Sequence, residues 1–305
     1  MNTVSPKPLV SIIIGTYNGE RYLRDQLETV VHQTYSPIEV IIVDDHSSDS
    51  TPEIIRDYAL RYSFIKPFFN EENLGYIKNF EKGARLAKGE YLSFCDQDDI
   101  WDVRKTEILM GNIEDSPLIY SDDLMVDENL QSLGYRQSDI VQCMSVNNGL
   151  YFVLDNVVGG HALLIKREVL EQALPFPSII PHDLWLAYTA SFRGGVKFLD
   201  QVLVSWRQHK KAVTKINKSQ EQRLNETRAR LKIFYDHCPD SFPKEKKVIG
   251  QIIQSYKSFS LRNNILRSYL FFRYQKFLLG FKKRSPFRKF LFSLKMFFKV
   301  RYHVA

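Results

Sequence analysis

Four short apolar runs, separated by stretches of helical periodicity, constrain this chain more than any other feature of its sequence. "PLVSIIIGTYNGE" predicts a buried strand over about Leu9 to Thr16, since β-branched residues suit a pleated surface and the Gly/Asn pair marks a turn. Glu20 to His32 then carries Leu23, Leu27, Val30 and Val31 at helical spacing. "IEVIIVDDHSSDS" is a second buried strand, ending at Asp44 and Asp45. "STPE", Ser50 to Glu53, fits a capping box with Pro52 in the first turn, opening a helix to about Tyr62. "FIKPFFN" predicts a third strand, "GYIKNFEKGARLAKG" a helix closed by Gly89, and "EYLSFC" a fourth strand that delivers Asp96.

Apolar strands alternating with helices predict an α/β fold, a mostly parallel sheet flanked by helices. In such sheets ligands bind beyond the carboxyl ends of the strands. Thr16-Tyr17-Asn18-Gly19, Asp44-Asp45 and Asp96-Gln97-Asp98-Asp99 each stand at such an end, so they are expected to converge on one edge. After Trp101 the pattern loosens. "SPLIYSDDLMVD" predicts a strand and turn, "GGHALLIKREVL" a strand passing into a helix, "PHDLWLAYTASF" a helix after Pro181, and "GGVKFLDQVLVSWRQH" one strand or two. Gln131 to Asn156 shows no assignable pattern, and helix dominates from Gln220, with a break at "HCPDSFP".

The chemistry of these clusters has functional and plain readings side by side. Asp96-Gln97-Asp98 places two carboxylates two residues apart, a pattern that suits a hard divalent cation bridging protein to phosphate, or a solvated acidic turn. Asp45 suits acceptance of a hydrogen bond from a base or ribose, or simply a turn. Asn73 and Gly75 form the loop before the third helix, from which Lys78 reaches a phosphate or only solvent. Asp183, after His182 at a helix start, is either a general base or a cap. His209 in "WRQHK" is an oxygen-site ligand, a phosphate donor or a loop histidine, and the Gly159-Gly160-His161 backbone allows close approach.

The ordered set "VSIIIGTYNG", "VIIVDDHSSDST", "ENLGYIKNF", "FCDQDDIW", "GGHALLIKRE", "PHDLWLA" and "SWRQHKKAV", from Leu9 to Val213, resembles the family 2 inverting glycosyltransferases of the GT-A nucleotide-diphospho-sugar transferase fold. The variants "DQDDIW", "NLGYIKNF", "HDLWLA" and "RQH" are most similar to bacterial rhamnosyltransferase-like enzymes of surface polysaccharide synthesis. The resemblance implies that Thr16, Tyr17 and Asn18 line a nucleotide pocket, with Asp45 on the base and Asn73, Gly75, Lys78, Asp96 and Gln97 around the donor. It implies Mg²⁺ or Mn²⁺ on Asp98 with His209 close by, and Asp183 as the catalytic base. The expected donor is dTDP-rhamnose, with UDP-hexoses as the alternative. The sequence departs from the branch at His161 and at Lys210-Lys211.

Charge is divided along the chain. Of the 42 Lys and Arg, 15 fall between Lys246 and Ala305, where there is no Asp or Glu; the other 27 stand against all 35 acids. An acidic body with a basic tail argues against nucleic acid as the body's partner. In the tail, Arg288, Lys295 and Lys299 fall on one helix face and Phe287, Phe290, Leu291, Leu294, Phe297 and Phe298 on the opposite face, with Phe292 and Met296 breaking the pattern. That arrangement suits an interfacial helix on an anionic leaflet, or a helix that packs its Phe face on the body and exposes its charges. The expected organisation is a transferase domain over residues 1–215 and a basic, membrane-associating helical region over 216–305. Three cysteines, an odd number with no paired spacing, no N-terminal leader and no long apolar span predict a cytoplasmic protein; the basic tail places it on the inner face of the plasma membrane, and a lipid-linked or polysaccharide acceptor suits that place. A module that binds membrane without catalysis is the competing reading.

Overall fold

A computed structural model describes residues 6–209 and 219–298. The tail's Lys299 and the segment Lys210-Lys211-Ala212-Val213, where the sequence departs from the branch, lie outside the described residues. By internal contacts the chain divides into two compact units, one of residues 1–139 and 158–210, the other of residues 140–157 and 211–305.

In the first unit the elements run β1 (Val10–Thr16), α1 (Leu23–Val31), β2 (Ile38–Asp44), α2 (Thr51–Arg61), β3 (Ile65–Phe69), α3 (Tyr76–Leu86), β4 (Tyr91–Asp96) and β5 (Ile100–Trp101). They continue as α4 (Lys105–Asn112), β6 (Leu118–Val126), β7 (Ser132–Arg136), α5 (Gln137–Ile140), β8 (Leu163–Lys166), α6 (Arg167–Ala173), α7 (His182–Ser191) and β9 (Val196–Arg207). The strands form one nine-stranded sheet in the order β3-β2-β1-β4-β8-β6-β9-β5, with β7 on β6. β1, β2, β3, β4, β6 and β9 share one direction, and β5, β7 and β8 oppose it. The mostly parallel α/β sheet flanked by helices is thus the observed architecture.

Alternation along β1 divides the core. Ile12 and Ile14 join Leu27, Val30, Ile54 and Ile55 on one side of the sheet. Ile13 faces α3, where Gly83 leaves no room for a side chain: a Cβ there would lie 2.5 Å from Ile13. Parallel register then brings the strand ends level, with Thr16 beside Asp44 and Gly15 beside Asp96.

Two local expectations are corrected. Ser50 does not close a capping box; its side chain makes no cap hydrogen bond, and the Thr51 N–H donates instead to Asp49 Oδ1 at 3.0 Å. Its partner in the expected box, Glu53, pairs with Arg56. α3 ends at Leu86, before Gly89. What Gly89 provides is close approach, since a Cβ there would meet Leu9 O and Ser11 N of the β1 edge at 2.7 Å.

The second unit is helical: α8 (Gln220–His237), α9 (Pro243–Tyr256), α10 (Leu261–Arg273), α11 (Gln275–Leu278) and α12 (Pro286–Lys295), with a 3₁₀ turn at Gly149–Tyr151. α8 opens with a true capping box from Ser219 and Gln222. Arg267, fully buried, pins α9, α10 and α12 together by donating to the carbonyls of Ser255 and Met296 and to the Asn264 side chain. The expectation that Phe292 and Met296 break the α12 pattern has a physical resolution. Met296 is buried and Phe292 packs on Phe271, so these two form the inward face. Phe287, Phe290, Leu291, Leu294 and Phe298 are exposed. No described helix is long and apolar enough to cross a membrane.

Candidate active site

The ends of β1, β2 and β4 are tied together by side chains. Gln97 brackets Tyr17, accepting from its N–H at 2.9 Å and donating to its carbonyl at 3.1 Å. Asn18, at a positive φ of 47°, receives Ser48 N–H on its Oδ1 and gives its own N–H to Ser47. A Cβ on Gly19 would lie 2.2 Å from Gln97 Oε1, so the turn requires glycine to keep that bracket. Thr16 is buried and its hydroxyl donates to Asp44 at 2.8 Å, while half-exposed Tyr17 faces outward.

Asp45 is buried and holds the loop that opens α3. Its carboxylate accepts from Leu74 N–H (2.8 Å), Gly75 N–H (2.9 Å) and Asn70 Nδ2 (2.8 Å). Asn73 closes the same loop, donating to the Asp45 carbonyl and accepting from Gly75. Gly75 takes φ 80°, a conformation that favours glycine. Lys78 is paired with Glu81 at 2.8 Å.

The Asp96–Asp99 run is where charge concentrates. Asp98 Oδ2 lies 2.8 Å from His209 Nε2. Burial and the neighbouring Asp96 push the Asp98 carboxyl up, against the pull of His209. Asp99 is buried; its Oδ1 accepts the Arg207 N–H at 2.9 Å, and its Oδ2 makes no hydrogen bond. Burial drives its carboxyl well above the ordinary range. Arg207 also donates through Nε to the Asp98 carbonyl at 2.8 Å and through Nη2 to Asp25 at 3.1 Å.

His161 stands among three carboxylates. Its Nδ1 is 3.3 Å from Asp96 and 3.4 Å from Asp99, and its Nε2 is 3.2 Å from Asp123. Burial alone would lower this imidazole, but Asp123 and Asp99 raise it well above its usual value. The same imidazole holds Asp96 below the ordinary range although burial opposes it. Beneath the cluster, Lys105 is fully buried with its ammonium 3.2 Å from the Trp101 ring centre, and burial pushes it down to about 7.

Asp183 reaches this cluster through the glycine pair. A Cβ on Gly160 would meet His182 Nε2 at 2.7 Å and Asp183 Cβ at 3.7 Å, and one on Gly159 would meet His161 Nε2 at 2.9 Å. The close approach that the glycines allow is therefore made by histidine rings. His182 is buried between Phe80 and Phe94, its ring centroid 4.3 and 5.0 Å from theirs, and neither of its nitrogens has a hydrogen-bond partner. Burial raises the Asp183 carboxyl, whose Oδ1 accepts the Leu184 N–H.

Two donor sets suit a hard divalent cation by chemistry. Asp98 and His209 offer an oxygen and a nitrogen already in contact. Asp96, Asp99 and His161 offer atoms all within 4.8 Å of one another, with the bare Asp99 Oδ2 among them. The first set supplies two ligand atoms and the second three, with Asp123 on the far nitrogen of His161. Asp99 joins this network from the acidic run at the end of the fourth strand, whereas sequence reasoning missed Asp123, Arg207 and Lys105 as its members.

A model of the family described as "Glycosyl transferase family 2" matches residues 11–174. An uncharacterized glycosyltransferase of Rickettsia felis is 31% identical over 211 residues, which cover 66% of this chain and 34% of that protein. One of Nostoc sp. is 30% identical over 213 residues, covering 66% of this chain and 65% of its own length. An uncharacterized protein of Mycobacterium tuberculosis is 30% identical, and the match spans 59% of its length. Among solved structures, Staphylococcus aureus TarS 1-349 in complex with UDP-GlcNAc matches with a TM-score of 0.61 and 17% identity, over 95% of this chain and 80% of that one. Its UDP complex matches with a TM-score of 0.57. At this identity the likeness shows the fold alone, the GT-A arrangement.

Proposed function

The chain belongs to glycosyl transferase family 2, and from that membership we propose that it moves a sugar from a nucleotide-sugar donor to an acceptor hydroxyl, inverting the anomeric carbon. The observation that carries the reading is the assembly of Asp98–His209, Asp96–His161 and Asp183 beyond the carboxyl ends of the parallel strands. Asp183 is the proposed base. Its carboxyl is raised by burial, which suits acceptance of a proton nearer neutral pH. The acceptor oxygen gives its proton to Asp183 and bonds the anomeric carbon, while the bond to the diphosphate oxygen breaks on the opposite face. Mg²⁺ or Mn²⁺ held by Asp98 with His209 would supply neutralisation of the leaving diphosphate.

The nucleotide is proposed to lie along Tyr17, Asn18 and the loop that Asp45 holds through Asn73 and Gly75. Thr16 supports that floor through Asp44, with Gln97, Asp96 and Lys78 toward the diphosphate. A transferase domain over residues 1–215 and a membrane-associating helical region over 216–305 complete the reading, with a lipid-linked or polysaccharide acceptor at the inner face of the plasma membrane. The motif variants favour dTDP-rhamnose as donor. A UDP-hexose is the second reading, favoured by the UDP and UDP-GlcNAc held by structures of the same fold.

The test is release of nucleoside diphosphate from dTDP-rhamnose, UDP-glucose and UDP-GlcNAc with Mg²⁺ or Mn²⁺ and a membrane extract as acceptor source. Release by wild type and not by Asp183→Asn supports the reading. Release from none of them, or equal release by the variant, overturns it.

A further inference from the structure

α12 does not present its aromatic face alone. On α10, Leu261, Ile265 and Tyr269 are each more than half exposed (66%, 54% and 55%), and Phe272 is exposed as well. At about 100° per residue these four fall within an arc of roughly 80° on one side of the helix. The buried residues Arg267, Leu270 and Phe271 lie on the other side. α12 repeats the plan, with Ser293 and Met296 inward and its Phe/Leu face outward. The two outward faces are continuous, since the exposed rings of Phe272 and Phe290 meet at 5.9 Å. Arg267 and the Ser268 hydroxyl, which donates to the Ser293 carbonyl at 2.9 Å, lock the helices in that relation.

A contiguous apolar face of this kind marks a contact site. Its borders identify the partner. Arg262 and Arg273 on α10, and Arg288 and Lys295 on α12, are exposed at the flank, and no acidic residue occurs from Lys246 onward. An apolar face flanked by cations with no acid beside it in the chain is the composition that an anionic lipid surface attracts. We propose that α10 and α12 together form one plane that lies in the interface of an anionic bilayer, with Tyr269, Phe272 and Phe290 at its centre. The proposal deepens the membrane association stated above and rests on it. It assigns the contact to two helices locked by Arg267, where α12 alone offers about three turns.

The test uses the full chain and sedimentation with phosphatidylcholine vesicles, with and without phosphatidylglycerol. Wild type pellets with the anionic vesicles, and I265E/Y269E on α10 weakens that binding at least about tenfold. A Tyr269→Trp probe shifts to the blue on binding and is quenched by lipids brominated on their acyl chains. Wild-type levels of binding by I265E/Y269E, or no quenching of the probe in pelleted protein, overturn the proposal. So does a concentration-dependent dimer that the same double variant abolishes, with no pelleting of wild type, because it makes the plane a contact between two copies. Thermal stabilisation by nucleotide is read in parallel. It is retained in wild type and in I265E/Y269E whichever way the membrane experiment falls, and it is absent in wild type if the transferase reading fails.

Discussion

His209 Nε2 and Asp98 Oδ2 lie 2.8 Å apart, a pairing of residues 111 positions apart that joins the end of β9 to the turn after β4. Asp98 shares its surroundings with Asp96, and that neighbour raises it. A cation bound there relieves the repulsion, so Asp98→Ala is expected to remove metal-dependent nucleotide binding and to lower turnover by about 10²-fold or more. Isothermal titration of UDP and dTDP, with Mg²⁺ and with chelator, checks it. Equal affinities in the two conditions for wild type would count against the ion.

Asp183→Asn is expected to lower kcat by about 10²–10⁴-fold and to leave donor affinity within about twofold, because only proton transfer is removed. The pH dependence follows from burial. Burial raises the Asp183 carboxyl, so the acid limb of the rate profile lies above the ordinary carboxylate value of 3.8. The same shift sets a stability difference. A carboxyl raised by folding favours the fold while it is protonated, and that advantage is lost as pH rises through its folded value. Asp183→Asn should therefore melt higher than wild type at neutral pH and not at pH 3. A lower melting point at neutral pH would contradict this sign.

His161→Ala removes the internal cation of Asp96, Asp99 and Asp123 and is expected to destabilise the fold by about 3–5 kcal/mol, as for other broken buried pairs. Folding raises this imidazole, so its contribution is present in full below its ordinary value near 6.5 and is lost as pH rises through the higher folded value. Urea unfolding of both proteins at pH 6, 8 and 10 measures the difference. A gap that widens toward pH 10 would reverse the assignment.

Gly89→Ala places a methyl against the Leu9 carbonyl and Ser11 N–H at 2.7 Å, and backbone yields less readily than a side chain. The expected loss is about 1–3 kcal/mol with nucleotide affinity kept in the folded fraction. Denaturant midpoints check it, and an unchanged midpoint would show that the β1 edge relaxes freely.

Much of this was legible in the sequence because it is local. The unbroken β-branched run Ile12-Ile13-Ile14, buried on both sides of the sheet, the helical spacing in α1 and the polar residues at three strand ends together point to the edge where those ends converge. What was not legible depends on distant partners. Nothing near Asp123 announces that it meets His161, since β6 reaches the sheet's centre only through antiparallel β8. Ser50 has the composition of a cap, yet Asp49, one residue earlier, takes the helix's free N–H. The stretch Gln131 to Asn156 shows no single pattern because it is divided: Ser132–Arg136 pairs with β6 as the exposed strand β7, while the part from Ile140 groups with the helical unit, where Tyr151 and Phe152 pack on Phe281.

The most direct measurement is a thermal-shift series of dTDP, UDP, dTDP-rhamnose and UDP-GlcNAc, with and without Mn²⁺, on wild type and Asp98→Ala. A ligand that binds only the folded state raises the melting temperature, by an amount that grows with its concentration over Kd. The account predicts stabilisation of wild type by at least one nucleotide diphosphate in the presence of metal, lost in Asp98→Ala. No stabilisation by any of them in wild type would contradict it and would leave the Asp96–Asp99 run as an acidic turn held by His161.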